Sequence, residues 1–205
     1  MRGFSDEERD RIREELVETG RELLLTYGPE KTNVADVTEP VGIAKSTFYR
    51  FFDSKAELYL EVLGRESEAF HERVESDIEG VDDPREALER VFRAYAEFAE
   101  GNLLVRRMMA GDAYRDLLGD VSAERLEEYQ AEGMAAFVPL VERLQADADG
   151  MLADLDPATV LGVLSTVGLL VLHEDEYDRY GDGYYEAVRD AHVEALARGL
   201  TADDS

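Results

Sequence analysis

Apolar residues in this chain return every three or four positions from end to end, and nowhere alternate with polar ones over the length of a strand. That period points to an all-α fold of about nine helices, each burying one stripe. Ser5 with Glu8 forms a capping box, and Ile12, Leu16, Gly20, Leu23, Leu24 and Tyr27 follow at helical spacing until Gly28-Pro29. A short helix opens at Thr32 or Asn33 with Val34, Val37 and Val41 inward, Gly42 makes a turn, and another short helix covers Ala44 to Phe52. Ser54 and Glu57 cap a long fourth helix, with Leu58, Val62, Phe70, Val74 and Ile78 on its inner face. Further helices are expected from Pro84 to Gly101, Leu103 to Ala110, Ala113 to Leu118, Ser122 to Ala148 and Ala158 to His173. A polar loop, Glu174 to Gly183, precedes the last helix, Tyr184 to Leu200.

No flexible linker interrupts this series, so the fourth helix is expected to bridge a small unit, residues 1–60, and a larger one, residues 61–205. The longest apolar run, Val160 to Leu172, is shorter than the roughly 20 residues that cross a bilayer. Met1-Arg2-Gly3-Phe4 leads directly into charged residues, without the apolar stretch of a secretory signal. With no cysteine in the chain, disulfides and thiolate chemistry are excluded, and the expected compartment is the cytoplasm.

The net charge of −26 argues on its face against a nucleic-acid partner. Adaptation to concentrated salt accounts for it differently. At 1 M salt the screening length falls to about 3 Å, and acidic side chains keep the surface hydrated. Lysine is scarce among the 22 basic residues, as though long apolar stems had been removed, and a halophilic archaeon is the expected source. All three lysines, Lys31, Lys45 and Lys55, fall in one window of 25 residues that carries +1, while the rest of the chain carries −27. One short stretch has been spared acidification.

That stretch contains VADVTEPVGIAKSTFYRFF, Val34 to Phe52: two short helices joined by a glycine turn, the second aromatic on one side and polar on the other. This is the pattern of a helix-turn-helix. Phe48, Phe51 and Phe52 can pack the second helix against the first, leaving Lys45, Ser46, Thr47, Tyr49 and Arg50 to face a DNA groove. Small hydroxyls near a helix start reach base edges, and Lys and Arg reach phosphate or guanine. Thr32 and Lys55 stand near the starts of flanking helices, where N–H groups and the dipole attract phosphate.

From Ile12 to about Leu63 the chain resembles the N-terminal DNA-binding domain of TetR (tetracycline-repressor-like) transcriptional regulators. The resemblance rests on Gly28, Thr32, Val34, Asp36, Val37, Gly42, Ile43, Lys45, Thr47, Tyr49, Phe52, Ser54, Lys55 and Leu58, in order and without a gap. It implies phosphate contacts by Thr32, Tyr49 and Lys55, and groove-facing roles for Lys45, Ser46 and Thr47. Two residues depart from the pattern. Pro40 should end the second helix early. Ala44 stands where Ser or Thr would cap the recognition helix, at a cost of about 1 kcal/mol.

Beyond residue 65 the resemblance fades, as expected of a part tuned to a ligand. Phe92, Tyr95, Phe98, Met108, Met109, Tyr114, Tyr129, Met134 and Phe137 are the candidates for an adaptable apolar sensor pocket, with core packing as the alternative for any one of them. The helix around Val160, Gly162, Val163, Leu164, Val167 and Gly168 is too apolar for a monomer surface. With the stripe Val188, Ala191, His192 and Ala195 on the last helix, it is the expected homodimer interface, the resemblance implying pairing of the last two helices across a two-fold axis.

Asp147, Asp149, Gly150 and Asp156 echo a calcium loop only faintly, since Gln145 holds the first ligand position, and a solvated loop is the better reading. The pair Arg106-Arg107 could greet an anion but reads better as surface ion pairing. No nucleophile elbow, phosphate loop or zinc motif is present, so neither an enzyme nor a cofactor is expected. The sequence therefore reads as a DNA-binding transcriptional regulator, a repressor modulated by a small molecule. The alternative is a protein–protein adaptor that keeps the helix-turn-helix as a scaffold.

Overall fold

Ser5 accepts a hydrogen bond from the Glu8 N–H and opens α1, Asp6–Tyr27, whose buried stripe is Ile12, Leu16, Val17, Gly20 and Leu24. The computed structural model describes residues 4–109 and 121–202, without the side chains of 107–109. Asn33 accepts from the Ala35 and Asp36 N–H groups while Asp36 reaches back to the Asn33 N–H, a reciprocal cap that starts α2, Val34–Val41. Pro40, expected to end this helix early, lies inside it as the next-to-last residue. The stop is made by Gly42 in the left-handed conformation (φ 74°), with Ile43 N–H returning to the Thr38 carbonyl.

The recognition helix is shorter than the sequence implies. α3 is Lys45–Phe48, and residues 49–51 continue as turns, with Arg50 and Phe51 donating back three residues to Thr47 and Phe48. Ala44 supplies no side-chain cap, and tight i→i+3 bonds finish the segment. Ser54 caps α4, Lys55–Ile78. α5 is Pro84–Gly101 and α6 is Leu103–Met109; after the break in the described residues come α7, Ala123–Ala146, and α8, Met151–Asp154. α9 is Pro157–Leu172, α10 is Glu174–Tyr177, a 3₁₀ turn covers Asp178–Tyr180, and α11 is Tyr184–Thr201.

Among the described residues there is no strand, and the α segments number eleven rather than about nine. The two without an expected counterpart, α8 and α10, the latter inside the expected Glu174 to Gly183 loop, are single turns of four residues, too short to carry a repeating stripe. The expected helix Ala113 to Leu118 lies outside the described residues. Gly150 has a packing reason instead of a calcium-binding one: at φ 73°, a Cβ there would stand 2.2 Å from the Ala202 carbonyl oxygen, where the chain passes after α11.

α4 joins two apolar cores. Its first half, Ala56 to Leu63, is buried with Leu16, Leu24, Val37, Phe48 and Phe52, and Leu104 of α6 enters the same cluster. Its second half, Phe70, Val74 and Ile78, is buried with residues of α5, α7, α9 and α11. The small core therefore reaches a few residues past position 60 and takes in Leu104 from α6. No single helix among the described residues is long and apolar enough to cross a membrane.

Candidate nucleic-acid interface

Phe48 is fully buried and lies tilted against Phe52 at 5.5 Å, which anchors α3 to the core of the head, formed by α1, α2, α3 and the first half of α4. With that face fixed, Lys45, Ser46, Tyr49 and Arg50 are exposed and Thr47 is half-buried. Tyr49, 51% exposed, stands edge-on to Phe48 at 5.4 Å, so its ring is held against the core on one side and open to solvent on the other. The end of the segment is pinned from α1: Arg9 Nη2 donates to the Arg50 carbonyl (3.3 Å) and Arg13 Nη1 to the Phe51 carbonyl (3.2 Å). Cations on carbonyls at a helix C-terminus satisfy orphan acceptors and complement the dipole. The Arg9, Arg13 and Arg50 guanidiniums also lie over the rings of Phe51, Phe52 and Phe4, at 5.6, 4.6 and 5.1 Å.

Arg9, Arg13 and Phe4 were not among the residues singled out from sequence. The available signal was the four-residue spacing of Arg9 and Arg13, which puts both on one face of α1. Seeing that this face meets the end of α3 requires the fold.

Thr32 and Lys55 turn inward in the free protein. Thr32 is 1% exposed and its Oγ1 donates to the Gly28 carbonyl at 2.9 Å. Lys55 Nζ donates to the carbonyls of Pro29 (3.0 Å) and Thr32 (2.8 Å) and sits 5.3 Å from the Tyr59 ring centre. Together they brace the α1–α2 loop and so set where α2 and α3 begin. Burial, with Asp36 nearby, pushes the Tyr59 phenol above its ordinary range, which keeps it neutral.

Behind the head, Glu66 of α4 joins three elements. It accepts from Arg21 Nε of α1 at 2.5 Å and from the Asn102 amide at the α5–α6 break. Asn102 Oδ1 in turn accepts from the Leu104 and Val105 N–H groups and starts α6. Glu66 and Asn102 are both buried.

The pocket candidates are dispersed. Phe92 is 1% exposed within the large core. Tyr95, Phe98 and Phe137 surround Phe70 at 5.9, 4.6 and 5.7 Å, Phe98 stacked upon it, and fill the space between α4, α5 and α7. Burial raises the Tyr95 phenol to about 12. Met134 is half exposed. Tyr129 lines a groove of about 960 Å³ between α4, α7 and the head. Met108, Met109 and Tyr114 lie outside the described side chains. Arg106 pairs with Glu174 at 2.9 Å.

On α9, Val160, Leu164, Val167 and Gly168 are buried in the monomer, Val163 is half-buried and Gly162 is exposed. The uncovered stripe of that helix is Ala158, Gly162, Ser165 and Leu169, the last 58% exposed. On α11, Ala191 and Ala195 are exposed, Val188 and His192 half-buried.

A short helix with an exposed polar face, held on a three-helix core and braced at its end by arginines, defines a helix-turn-helix DNA-binding module. The model for the N-terminal region of bacterial regulatory proteins of the tetR family matches residues 16–62. The chain is 30% identical over 172 residues to the transcriptional regulator TcmR of Streptomyces glaucescens, covering 80% of this chain and 73% of that protein. Two solved structures share the fold. A TetR-family regulator from Pectobacterium atrosepticum superposes with a TM-score of 0.67 at 22% identity, over 98% of this chain and 99% of that one. The regulator FadR of Bacillus subtilis, solved with stearoyl-CoA, gives 0.65 at 17% identity, over 91% and 98%. The chain belongs to the tetR family and is a DNA-binding transcriptional regulator.

Proposed function

We propose that two copies of this chain form a repressor that reads a two-fold-related operator and releases it when a small molecule is bound. The observation that carries this reading is the exposed face of Lys45, Ser46, Tyr49 and Arg50 in the one window spared acidification. Thr47 adds a hydroxyl at the rim of that face, and Thr32 and Lys55 fix the loop that presents it to phosphate. Reading successive major grooves requires a partner recognition helix about 34–36 Å away. The dimer contact is redrawn from the sequence expectation onto the uncovered stripes, Ala158, Gly162, Ser165 and Leu169 of α9 with Val188, Ala191 and Ala195 of α11. Small side chains there allow close helix approach. The solved complex of B. subtilis FadR with stearoyl-CoA supports sensing of a small molecule by the body, residues 61–205.

The charge distribution favours a salt-rich cytoplasm as the setting, as in a halophilic archaeon. Ordinary counterion release weakens DNA binding steeply as salt rises. Here the acidic flanks repel DNA most when unscreened, so the expected dependence is shallow or inverted. The test is retention of a genomic fragment pool at molar potassium chloride, followed by sequencing. Recovery of a few fragments sharing a two-fold motif, lost in Tyr49→Ala or Thr47→Ala, supports the proposal. A folded dimer that retains nothing overturns it and favours the adaptor reading.

A further inference from the structure

We propose that the groove between the head and α7 is a binding site for an organic cation with an aromatic body. The inference rests on the proposed ligand response and names the chemical class of one effector. The groove encloses about 960 Å³, the upper part of the range for small-molecule sites. One wall is the head, Arg13 of α1 with Phe51, Phe52 and Asp53 at the end of the recognition segment; the others are α4 and α7.

Helix-interior glycines show that the space is kept open. Gly20 on α1 has a reason within the chain, because a Cβ there would meet Leu58 at 3.0 Å. Gly64 on α4 and Gly133 on α7 both line the groove, and a Cβ at either would have nothing within 4 Å. Each costs its helix about 1 kcal/mol relative to alanine. No close packing among the described residues requires them. Gly162 and Gly199, equally unencumbered, lie on the last two long helices, where a second copy is proposed to dock. In the groove, the two glycines leave room for a bound molecule.

The lining selects its charge. Five carboxylates, Asp53, Glu57, Glu61, Glu68 and Glu132, face three arginines. The arginines are already engaged. Arg13 holds Glu61 at 2.7 Å, Arg65 is bidentate on Glu14 at 2.5 and 2.6 Å, and Arg125 lies 3.5 and 3.8 Å from Glu128 and Glu132. Asp53, Glu57 and Glu68 make no ion pair among the described residues. Phe51, Tyr129 and the His71 ring supply aromatic surface beside these carboxylates. Aromatic faces with unpaired carboxylates attract a cation that carries apolar area, and repel an anion of the same shape. Such a ligand touches the head on one side and α7 on the other, so its binding free energy depends on the angle between them. That is the condition for shifting the spacing of two recognition helices.

The probe pair is tetraphenylphosphonium and tetraphenylborate, alike in shape and opposite in charge, titrated calorimetrically into the full-length protein without DNA. One molar sodium chloride screens diffuse attraction to the acidic surface. The expected result is binding of the phosphonium at least tenfold tighter than the borate. Gly133→Leu, which fills the groove and favours the helix, should weaken it at least tenfold with melting temperature unchanged or raised, and Glu68→Gln by about threefold. Equal binding of the two ions, no binding of either, or phosphonium binding indifferent to Gly133→Leu would overturn the site. Because no operator takes part, each of these outcomes leaves the DNA-reading proposal standing.

Discussion

The two halves of α4 sit in different kinds of environment. Residues 55–66 also pack an apolar face, but carry directional bonds that are half-buried or buried: Lys55 to two loop carbonyls, Glu61 to Arg13, and Glu66 to Arg21 and Asn102. Residues 70–78 meet the body through an apolar face with Phe70 at the centre of an aromatic cluster, and their directional bonds, Arg73 to Glu97, Arg143 to Glu75 at 2.9 Å and Arg90 to the Asp77 carbonyl at 2.8 Å, are all exposed. Hydrogen bonds and ion pairs lose strength quickly with misalignment, whereas apolar contact is non-directional and tolerates repacking. The head is thus held by bonds shielded from water, where misalignment is costly, and the body by apolar contact with bonds that water can replace.

The sharpest way to break this contrast is to delete one ring from the core around each half. Phe48→Ala should cost about 3–5 kcal/mol, the usual range for a fully buried phenylalanine, and abolish operator binding. Phe98→Ala, at a half-buried position, should cost less and leave operator binding intact; denaturant unfolding and fluorescence anisotropy with labelled DNA read the two effects. Glu66→Gln should cost about 1–3 kcal/mol, because Arg21 and the Asn102 amide lose their charged acceptor. Its signature is a wider spread of distances between spin labels on the two heads of a dimer, straightforward to place in a chain without cysteine. An unchanged spread would show that the polar bracket does not fix the head.

Smaller changes sharpen the picture. Ala44→Ser should stabilise by about 0.5–1 kcal/mol by supplying the missing cap of α3, read as a raised melting temperature. The smallest effect concerns acid. The hydrogen bond from Arg65 holds the Glu14 carboxyl below its ordinary value. A depressed carboxylate contributes stability above its unfolded-state pKa and loses it as pH falls through the folded one. Being exposed, the pair is worth at most about 1 kcal/mol. Glu14→Gln should therefore change stability slightly at neutral pH and make the decline below about pH 4.5 slightly shallower.

Much of the head was legible before any coordinates. Its caps lie within four residues of the N–H groups they satisfy, as Ser5, Asn33 and Ser54 show, and its buried stripes follow one helix period. The polar face of the recognition segment followed from placing Phe48 and Phe52 inward. The inward turn of Thr32 and Lys55 did not, since it depends on carbonyls of a loop up to 26 residues away.

In the body, sequence marked which residues are apolar but not which of them end up together. Phe92, Tyr95, Phe98 and Phe137 suit a cavity or a filled core equally well by composition, and only the packing of α4 against α5 and α7 closed the space around Phe70. Val160, Leu164 and Val167 were likewise as eligible for a dimer face as for the interior until α9 was seated against α5. Local signals determine helices because a helix satisfies its hydrogen bonds within four residues. Grooves and interfaces are made of surfaces from distant segments, and their shape exists only once those segments have met.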